Sequence, residues 1–286
     1  MPKPVSAFPV MRAKLRAAAV ALMVLLLGTL LAGCSTPAAP PASPPPPLKS
    51  GVQVLVLQGG RQVTVHVPAQ LTKPAPLVLV LHGFPGNGPM AMGYGFDDLV
   101  DTDGFVGVYP DGIDGSWNAG GCCGDAMDDK TNDVAFLTSV VKTVEARTEI
   151  DPKRVYATGF SNGAMMSYRL GCDTDLFAAI APIAGDVESA CDHPVAASVL
   201  HVHGLEDTVV NFKASSDDPW RKADDCGAPT VTQTGGVHRS VADCKAGRSV
   251  EVVTIDGVDH EVPLAPSQEY AAAEQIWAFF AAHPRH

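Results

Sequence analysis

The stretch VYATGFSNGAMMSYRL, residues 155–170, decides the fold class. It begins with β-branched and aromatic residues that favour a buried strand, and it ends in Ala, Met and Leu, which favour a helix. The junction is the G-x-S-x-G sequence of residues 159–163. Between a strand and a helix, such glycines permit a sharp turn that lets the serine oxygen project beyond the sheet. We therefore expect Ser161 to be a nucleophile rather than only a small residue in a tight turn.

The rest of the chain alternates between strand and helix patterns around this junction. Residues 52–57 and 61–67 predict an antiparallel hairpin, and short apolar runs follow that are typical of strands buried on both faces of a parallel sheet. We expect an α/β protein with a mostly parallel central sheet, an antiparallel N-terminal hairpin and helices on both faces. The further predicted strands are 76–82, 105–110, 154–159, 177–185, 198–204 and 249–256, and the predicted helices are about 131–148, 162–171 and 267–281.

A serine nucleophile at such a turn requires an acid and then a histidine later in the chain. Asp207 follows the predicted strand 198–204, and the neighbouring Glu206 is the alternative acid. His260 follows the last predicted strand and is the expected base. His238 lies in a polar stretch where we expect no preceding strand, and the histidines at 283 and 286 lie in the C-terminal tail.

An oxyanion hole needs two backbone N–H groups directed at the developing negative charge. In this architecture one belongs to the residue after the nucleophile, Asn162, and the other to the loop after the strand 76–82. That loop has the sequence HGFPGN, residues 82–87, and Phe84 is the expected donor. We expect His82 to brace the loop beside the substrate pocket rather than to transfer protons.

Other residues near these motifs have competing interpretations. Trp117 could stack on an aromatic acyl group or could pack at the rim of the site. His201 and His203 alternate on one strand face before Asp207, and a metal site there would lack a third spaced cluster, so we expect packing and loop support. Asp133 is expected to cap the following helix.

The first 50 residues indicate export. A basic segment precedes 17 uncharged residues, from Ala17 to Gly33, which suits a signal peptide. The segment ends in LLAGC and resembles a bacterial lipobox, which predicts signal peptide 1–33, a lipid-anchored Pro-rich tether 34–50 and a catalytic domain 51–286. Lipidation would occur at Cys34. A plain secretory peptide with an incidental cysteine is the alternative, and Met11 could be the true start.

Charge excludes some partners. Residues 1–33 contain four basic residues and no acidic one, so the remainder has 20 − 4 = 16 basic against 31 acidic residues, or −15. This balance argues against nucleic acid and favours a neutral substrate. We expect a monomer with no metal or organic cofactor, bound to a membrane only through its lipid anchor.

Six cysteines remain after Cys34, an even number that suggests disulfides in an exported protein. Proximity favours Cys172 with Cys191 on one side of the helix after Ser161, and Cys226 with Cys244 around a polar segment that leads to His260. Residues 122 and 123 would be a vicinal pair or two free thiols, and six cysteines allow 15 complete pairings in principle.

Together these motifs resemble the exported α/β-hydrolase esterases that include feruloyl esterases and poly(3-hydroxybutyrate) depolymerases. The resemblance covers most of residues 50–281 and includes GFVGVYPDG, WNAGGCC, NDVAFL, LFAAIAPIAG, HVHGLEDTVV and IWAFF. It implies an α/β-hydrolase fold and ester hydrolysis through Ser161, Asp207 and His260. Val262 stands where family members often carry tryptophan, and Phe84 where many carry a small residue. Because both positions lie near the expected acyl pocket, family substrate preference transfers poorly.

Four functional hypotheses remain open at this stage. The first is cleavage of an aromatic acyl ester of plant polysaccharide, and the second is cleavage of a short hydroxyalkanoate ester. The third is a cell-envelope acyltransferase that uses the same triad and passes the acyl group to a sugar hydroxyl. A non-enzymatic envelope protein is the fourth, and it conflicts with an intact triad.

Overall fold

The computed structural model describes residues 44–57, 59–264 and 270–285. The predicted signal peptide, Cys34 and most of the predicted tether lie outside the described residues. Within the described ranges, no helix has both the length and the apolar composition needed to cross a membrane. At the N-terminal end, the carbonyl of Pro46 accepts from Arg147 Nε at 2.8 Å, and Leu48 N donates to Arg147 O at 3.0 Å. The end of the predicted tether therefore contacts Arg147, which lies shortly after the helix Asp133–Glu145.

Ten strands form one sheet in the order β1-β2-β4-β3-β5-β6-β7-β10-β9-β8. The six strands from β4 to β10 in this order are parallel, and antiparallel strands extend the sheet at both edges. The strands are β1 Gly51–Val56, β2 Gln62–Val67, β3 Ala75–Leu81, β4 Val106–Pro110, β5 Ile150–Phe160, β6 Ala179–Ile183, β7 Ser198–Gly204, β8 Thr230–Thr234, β9 Val237–Asp243 and β10 Ser249–Ile255. The mostly parallel sheet with an antiparallel N-terminal hairpin is confirmed.

Helices cover both faces, as the alternating pattern predicts. They are α1 Gly88–Met92, α2 Phe96–Asp103, α3 Gly124–Asp128, α4 Asp133–Glu145, α5 Asn162–Asp173, α6 Asp218–Ala223 and α7 Ala272–Ala282. Strand β3 shows why two layers are needed, because Leu77, Leu79 and Leu81 join one core cluster while Val78 and Val80 join the other. The first cluster contains residues of α4 and α5, and the second contains residues of α2 and α7.

The segment before His260 differs from the sequence-based expectation. His238 was expected in a polar stretch without a preceding strand, but it lies in β9, and β8 precedes it. The polar composition misled the prediction because β8 is an exposed edge strand on which every residue faces solvent. Such a strand needs no apolar alternation, since its backbone pairs with β9 and its side chains remain in water.

The helix caps also correct one expectation. Asp133 was expected to cap α4, but the cap is Asn132, whose side chain accepts from Ala135 N at 3.0 Å. Asp133 is buried instead, and its carboxylate accepts from Arg61 Nη1 at 2.7 Å and from Asn118 N at 2.8 Å. It therefore joins β2, the 117–123 segment and α4.

All six cysteines of the folded domain are in disulfides. Cys172 is bonded to Cys191 and Cys226 to Cys244, which are the two pairings expected from the sequence. The adjacent cysteines at 122 and 123 form the vicinal pair rather than free thiols. In the chain-entropy account, each of the two longer links, closing loops of 19 and 18 residues, contributes about 3 kcal/mol.

Candidate active site

Ser161 lies at the turn between β5 and α5 with φ 56° and ψ −119°. This backbone region is sparsely populated for residues other than glycine, so the surrounding structure must hold it. Ser161 N donates to Ile183 O at 2.9 Å, and Ser161 O accepts from Met165 N at 3.0 Å. A Cβ on Gly159 would come within 2.6 Å of Gly163 O, and one on Gly163 would come within 2.6 Å of His82 O. Both glycines of the motif are therefore required by close backbone packing.

Three predicted residues from three separate segments meet at this turn. His260 Nε2 lies 2.9 Å from Ser161 Oγ, and His260 Nδ1 lies 2.7 Å from Asp207 Oδ2. The Asp207 carboxylate is buried, whereas Glu206, the alternative acid, is exposed. Because the carboxylate can only accept from Nδ1, the imidazole Nε2 is free to accept the serine proton.

The loops that carry the acid and the base are tied together. Asp207 Oδ1 accepts from the backbone N–H groups of Val209 and Val210 at 2.9 and 2.8 Å. Asp259 Oδ1 accepts from His260 N at 2.8 Å and from Thr208 N at 3.2 Å. Hydrogen bonds from these two backbone donors lower the pKa of the Asp259 carboxyl below its usual value. A charged Asp259 thus links the loop after β10 to the loop after β7.

The expected oxyanion donors flank Ser161. Asn162 is the first residue of α5, and Phe84 lies in the loop after β3 with a side chain that lines the cavity at Ser161. Within the described part of the chain, neither backbone N–H has a protein acceptor. Both are therefore available for an oxygen bound near Ser161.

His82 supports the Phe84 loop. It is fully buried, its Nε2 accepts from Gly112 N at 2.8 Å, and its Nδ1 must therefore carry the proton that is donated to Gly83 O at 2.8 Å. Burial lowers the pKa of His82, so the ring is neutral. Its carbonyl oxygen accepts from Trp117 Nε1 at 2.9 Å.

Trp117 packs in the core rather than against the cavity, and His82 braces the Phe84 loop without lining the cavity. Both side chains are fully buried and neither lines the cavity at Ser161. The backbone N–H of Trp117 donates to Asn162 Oδ1 at 2.7 Å, and Asn162 Nδ2 donates to the carbonyl of Trp117 at 3.0 Å. Val262 is partly buried against the second core cluster and does not line the cavity either. A buried tryptophan thus fixes the segment beside Ser161 and has no face left for a ligand.

A cavity of about 520 Å³ opens above Ser161 and His260. Its apolar lining includes Phe84, Met165 and Val209, together with the vicinal disulfide of residues 122 and 123. Its polar lining includes Glu188, Asn211 and Lys213. Sequence reasoning missed most of these residues, although several follow the carboxyl ends of β6 and β7, where ligands of open α/β sheets bind.

The ammonium group of Lys213, in the polar lining of the cavity, has a carboxylate partner. Lys213 forms an ion pair with Asp186, and Ser216 Oγ donates to the same carboxylate at 2.5 Å. Burial opposes the charge on Asp186, but these hydrogen bonds lower its pKa overall. The bond to Asp186 raises the pKa of Lys213. A substrate therefore meets a rim in which the ammonium group is already neutralised.

Comparison with known proteins was made by sequence and by structure. The chain is 30% identical to Feruloyl esterase B of Piromyces equi over 232 residues, which is 70% of this chain and 42% of that protein. It is 27% identical to a Probable feruloyl esterase C of Aspergillus terreus over 256 residues, 82% of this chain and 88% of that protein. The chain spans about half or less of the length of the first three curated relatives it matches.

The fold has solved counterparts. An acetyl xylan esterase from Aspergillus awamori superimposes with a TM-score of 0.64 at 17% identity, over 82% of this chain and 100% of that chain. At this identity the likeness establishes the α/β-hydrolase fold. Residues 63–257 match the family model described as Esterase PHB depolymerase, and the chain belongs to that family.

Proposed function

We propose that this chain is a serine carboxylic ester hydrolase in which Ser161 is the nucleophile, His260 the base and Asp207 the acid that orients it. One observation carries the proposal. The bonds of 2.9 Å from His260 to Ser161 and 2.7 Å from His260 to Asp207 join residues far apart in sequence at the base of a cavity. The family and the esterase names of the relatives support it.

The mechanism follows from the arrangement of these groups. His260 Nε2 takes the Ser161 proton as Oγ attacks the ester carbonyl, and the bound carboxylate of Asp207 stabilises the resulting imidazolium. The N–H groups of Phe84 and Asn162 bind the oxyanion, and a single such donor is worth roughly 3–4 kcal/mol. Protonation of the leaving alcohol by His260 gives the acyl-enzyme, which water then hydrolyses. These steps require no metal or organic cofactor.

The proposed substrate is an aromatic or short acyl ester, with an aromatic ester of plant polysaccharide first. Feruloyl esterases among the relatives support this class. A cavity of about 520 Å³ lies in the range that suits small organic ligands, and the apolar lining residues Phe84, Met165 and Val209 suit an apolar acyl group. The neutralised Lys213 favours an uncharged ester over a free carboxylate.

A short hydroxyalkanoate ester is the second candidate. The family description names PHB depolymerase. The exposed side chains at the cavity mouth also favour it, because Phe84 is 46% and Val209 69% exposed, and an apolar rim suits a polyester chain. A panel of esters separates the candidates.

The panel contains methyl ferulate, acetate esters of sugars and oligomers of 3-hydroxybutyrate, each assayed with and without a sugar as acceptor. We expect hydrolysis in water, with methyl ferulate the best substrate. Preferred transfer to the acceptor would indicate the acyltransferase, and failure to hydrolyse any ester or to react with a fluorophosphonate would contradict the proposed function. Ser161→Ala is the matched control for background hydrolysis.

We further propose that the protein is exported and lipid-anchored at Cys34. Three disulfides within the folded domain are typical of an exported protein. Replacing Cys34 with Ser should release the protein from membranes or block its maturation. Mass spectrometry of the mature N-terminus is the direct measurement, and an unmodified chain that begins elsewhere would contradict the anchor.

A further inference from the structure

A chain of buried polar side chains lies behind the proposed triad. Tyr168 Oη donates to Asp217 Oδ1 at 2.8 Å, and Asp217 Oδ2 lies 3.1 Å from His201 Nδ1. His201 Nε2 lies 2.9 Å from His203 Nδ1, and His203 Nε2 lies 2.7 Å from the carbonyl oxygen of Val210. All four side chains are at most 1% exposed, so no water competes for their bonds.

Both ends of this row of hydrogen-bonded groups can only accept hydrogen bonds. One end is the carbonyl of Val210 and the other is the carboxylate of Asp217, whose second oxygen is already bonded to the Tyr168 hydroxyl. Three contacts lie between these ends, and each needs one hydrogen. Two neutral imidazoles carry only two. The arrangement of His201 and His203 is therefore complete only when it holds a third proton.

If His201 and His203 together held only two protons, two acceptors would face each other inside the core. An unsatisfied buried polar group costs roughly 1–3 kcal/mol, and a buried carboxylate without a cation is still less favourable. In the part of the chain that the structure describes, Asp217 forms an ion pair with His201 and with no lysine or arginine. The third proton therefore also supplies the positive charge that Asp217 needs.

Ordinary proton affinities indicate where that proton resides. An imidazole is in general a stronger base than a carboxylate, and Asp217 Oδ1 already accepts a hydrogen bond from the Tyr168 hydroxyl. Burial lowers the pKa of His203, and the neighbouring His201 lowers it further. The imidazolium is accordingly His201, and His203 is neutral with its single proton on Nε2.

We infer that His203 is a positioning residue for Asp207, held in its orientation by the buried ion pair of His201 and Asp217. Its Nε2 atom lies 3.3 Å from Asp207 Oδ2, and the proton on that atom is donated to the carbonyl of Val210. The N–H of Val210 in turn donates to Asp207 Oδ1 at 2.8 Å. His203 thus restrains both oxygens of the carboxylate that orients His260. The positioning role rests on the proposed function, whereas the proton count does not.

Nuclear magnetic resonance of the protein labelled with ¹⁵N-histidine tests the proton count without any assay of activity. At pH 8 we expect both ring nitrogens of His201 to carry protons and His203 to carry one on Nε2. The signals are assigned by their loss in His201→Gln and His203→Gln. Two neutral rings, or a His203 proton on Nδ1, would overturn the assignment even if the protein hydrolyses esters.

Two substitutions at one position test the positioning role. His203→Phe removes the Nε2 donor, and His203→Gln offers an amide N–H at about the same place. We expect the Phe variant to lose about 10- to 100-fold in kcat with little change in KM, because a carboxylate displaced by a fraction of an ångström misaligns His260. The Gln variant should recover most of that loss. His238→Phe, on β9 and paired with Asp256, is the matched control and should retain full activity.

The pH profile distinguishes positioning from a purely structural effect. The groups that face His203 and His201 are Asp207, Asp217, Tyr168 and His260, and loss of the His203 donor leaves Asp207 to attract a proton on His260 more strongly. The acidic limb of kcat/KM should move to higher pH in His203→Phe and return in His203→Gln. Equal activity of Phe variant and wild type, or equal impairment of both variants, would overturn the role. If the Phe variant does not fold, the resonance experiment decides.

Discussion

Two pairs of aspartate and histidine lie on the same side of this molecule and differ in what surrounds them. The pair Asp207–His260, at 2.7 Å, has one imidazole nitrogen directed at Ser161 and opens on a cavity. The pair Asp217–His201, at 3.1 Å, is fully buried, and its second imidazole nitrogen contacts His203. The same two residue types thus form a site that can react in one place and a support in the other.

The difference shows that the role of an aspartate–histidine pair depends on what the second imidazole nitrogen contacts and on whether a ligand can reach it. An aspartate fixes one nitrogen of an imidazole in both cases, and the function follows from what the other nitrogen meets. A hydroxyl at the edge of a cavity permits proton transfer to a substrate. Another buried imidazole permits only a fixed network, which rigidifies the loop beneath the site.

The largest expected effect is that of removing the hydroxyl. Ser161→Ala should reduce ester hydrolysis by about 10⁴ to 10⁶ while the fold persists, because alanine fits the same turn and only the nucleophile is lost. The activity of the purified variant, with its circular dichroism as a control for folding, gives the result. Activity within tenfold of the wild type would contradict the nucleophile.

Substitution of His260 should affect activity more than stability, and substitution of His203 should affect stability more than activity. His260→Ala should be nearly as damaging to activity as Ser161→Ala, with little loss of stability because its side chain is partly exposed. His203→Ala should affect activity much less, yet cost about 1–3 kcal/mol of unfolding free energy for each buried partner left unpaired. Urea unfolding and kcat/KM on the same preparations test this. Equal effects of both variants on both quantities would remove the distinction between the pairs.

Much of this fold was predictable because the central strands are buried on both faces. Strand β7, Ser198–Gly204, has the same bounds in the structure as in the prediction, since its short run of Val, Leu and His ends at a glycine and is buried along its whole length. The hairpin β8–β9 was missed for the opposite reason. Its residues are mostly polar and its strands are stabilised by backbone pairing with β10, a long-range contact that local patterns do not encode.

The candidate site was predictable where order along the chain constrains geometry. Ser161, Asp207 and His260 each follow a strand at the same sheet edge, so their meeting follows from topology. The role of Trp117 stayed open because an aromatic residue in a glycine-rich loop suits a cavity wall and a packed position equally well. Only the structure reveals its hydrogen bonds to His82 and Asn162, and the network at His201 likewise requires knowledge of where Asp217 returns to the sheet.

Acidification should slow the reaction before it unfolds the protein. A protonated His260 has no lone pair with which to accept the Ser161 proton, so kcat/KM should fall once acidification protonates this ring, by up to about tenfold per pH unit. Initial rates between pH 5 and 8, each corrected for stability of the enzyme over the assay, measure this. A rate that is constant over this range would indicate a different base.

The smallest expected effect is on stability, and it concerns a buried histidine that does not react. Burial lowers the pKa of His82 below that of a histidine in the unfolded chain, about 6.5. The unfolded chain therefore takes up a proton first as pH falls, and the folded state loses stability from near that value downwards, at most about 1.4 kcal/mol per pH unit from this residue. Protonation would also remove the acceptor that binds Gly112 N. His82→Gln should be less stable than the wild type at pH 7.5 but should lose less on transfer to pH 5, as measured by urea unfolding at both pH values. If the variant loses as much stability as the wild type over this interval, the neutral form of His82 does not contribute to the acid sensitivity of the fold.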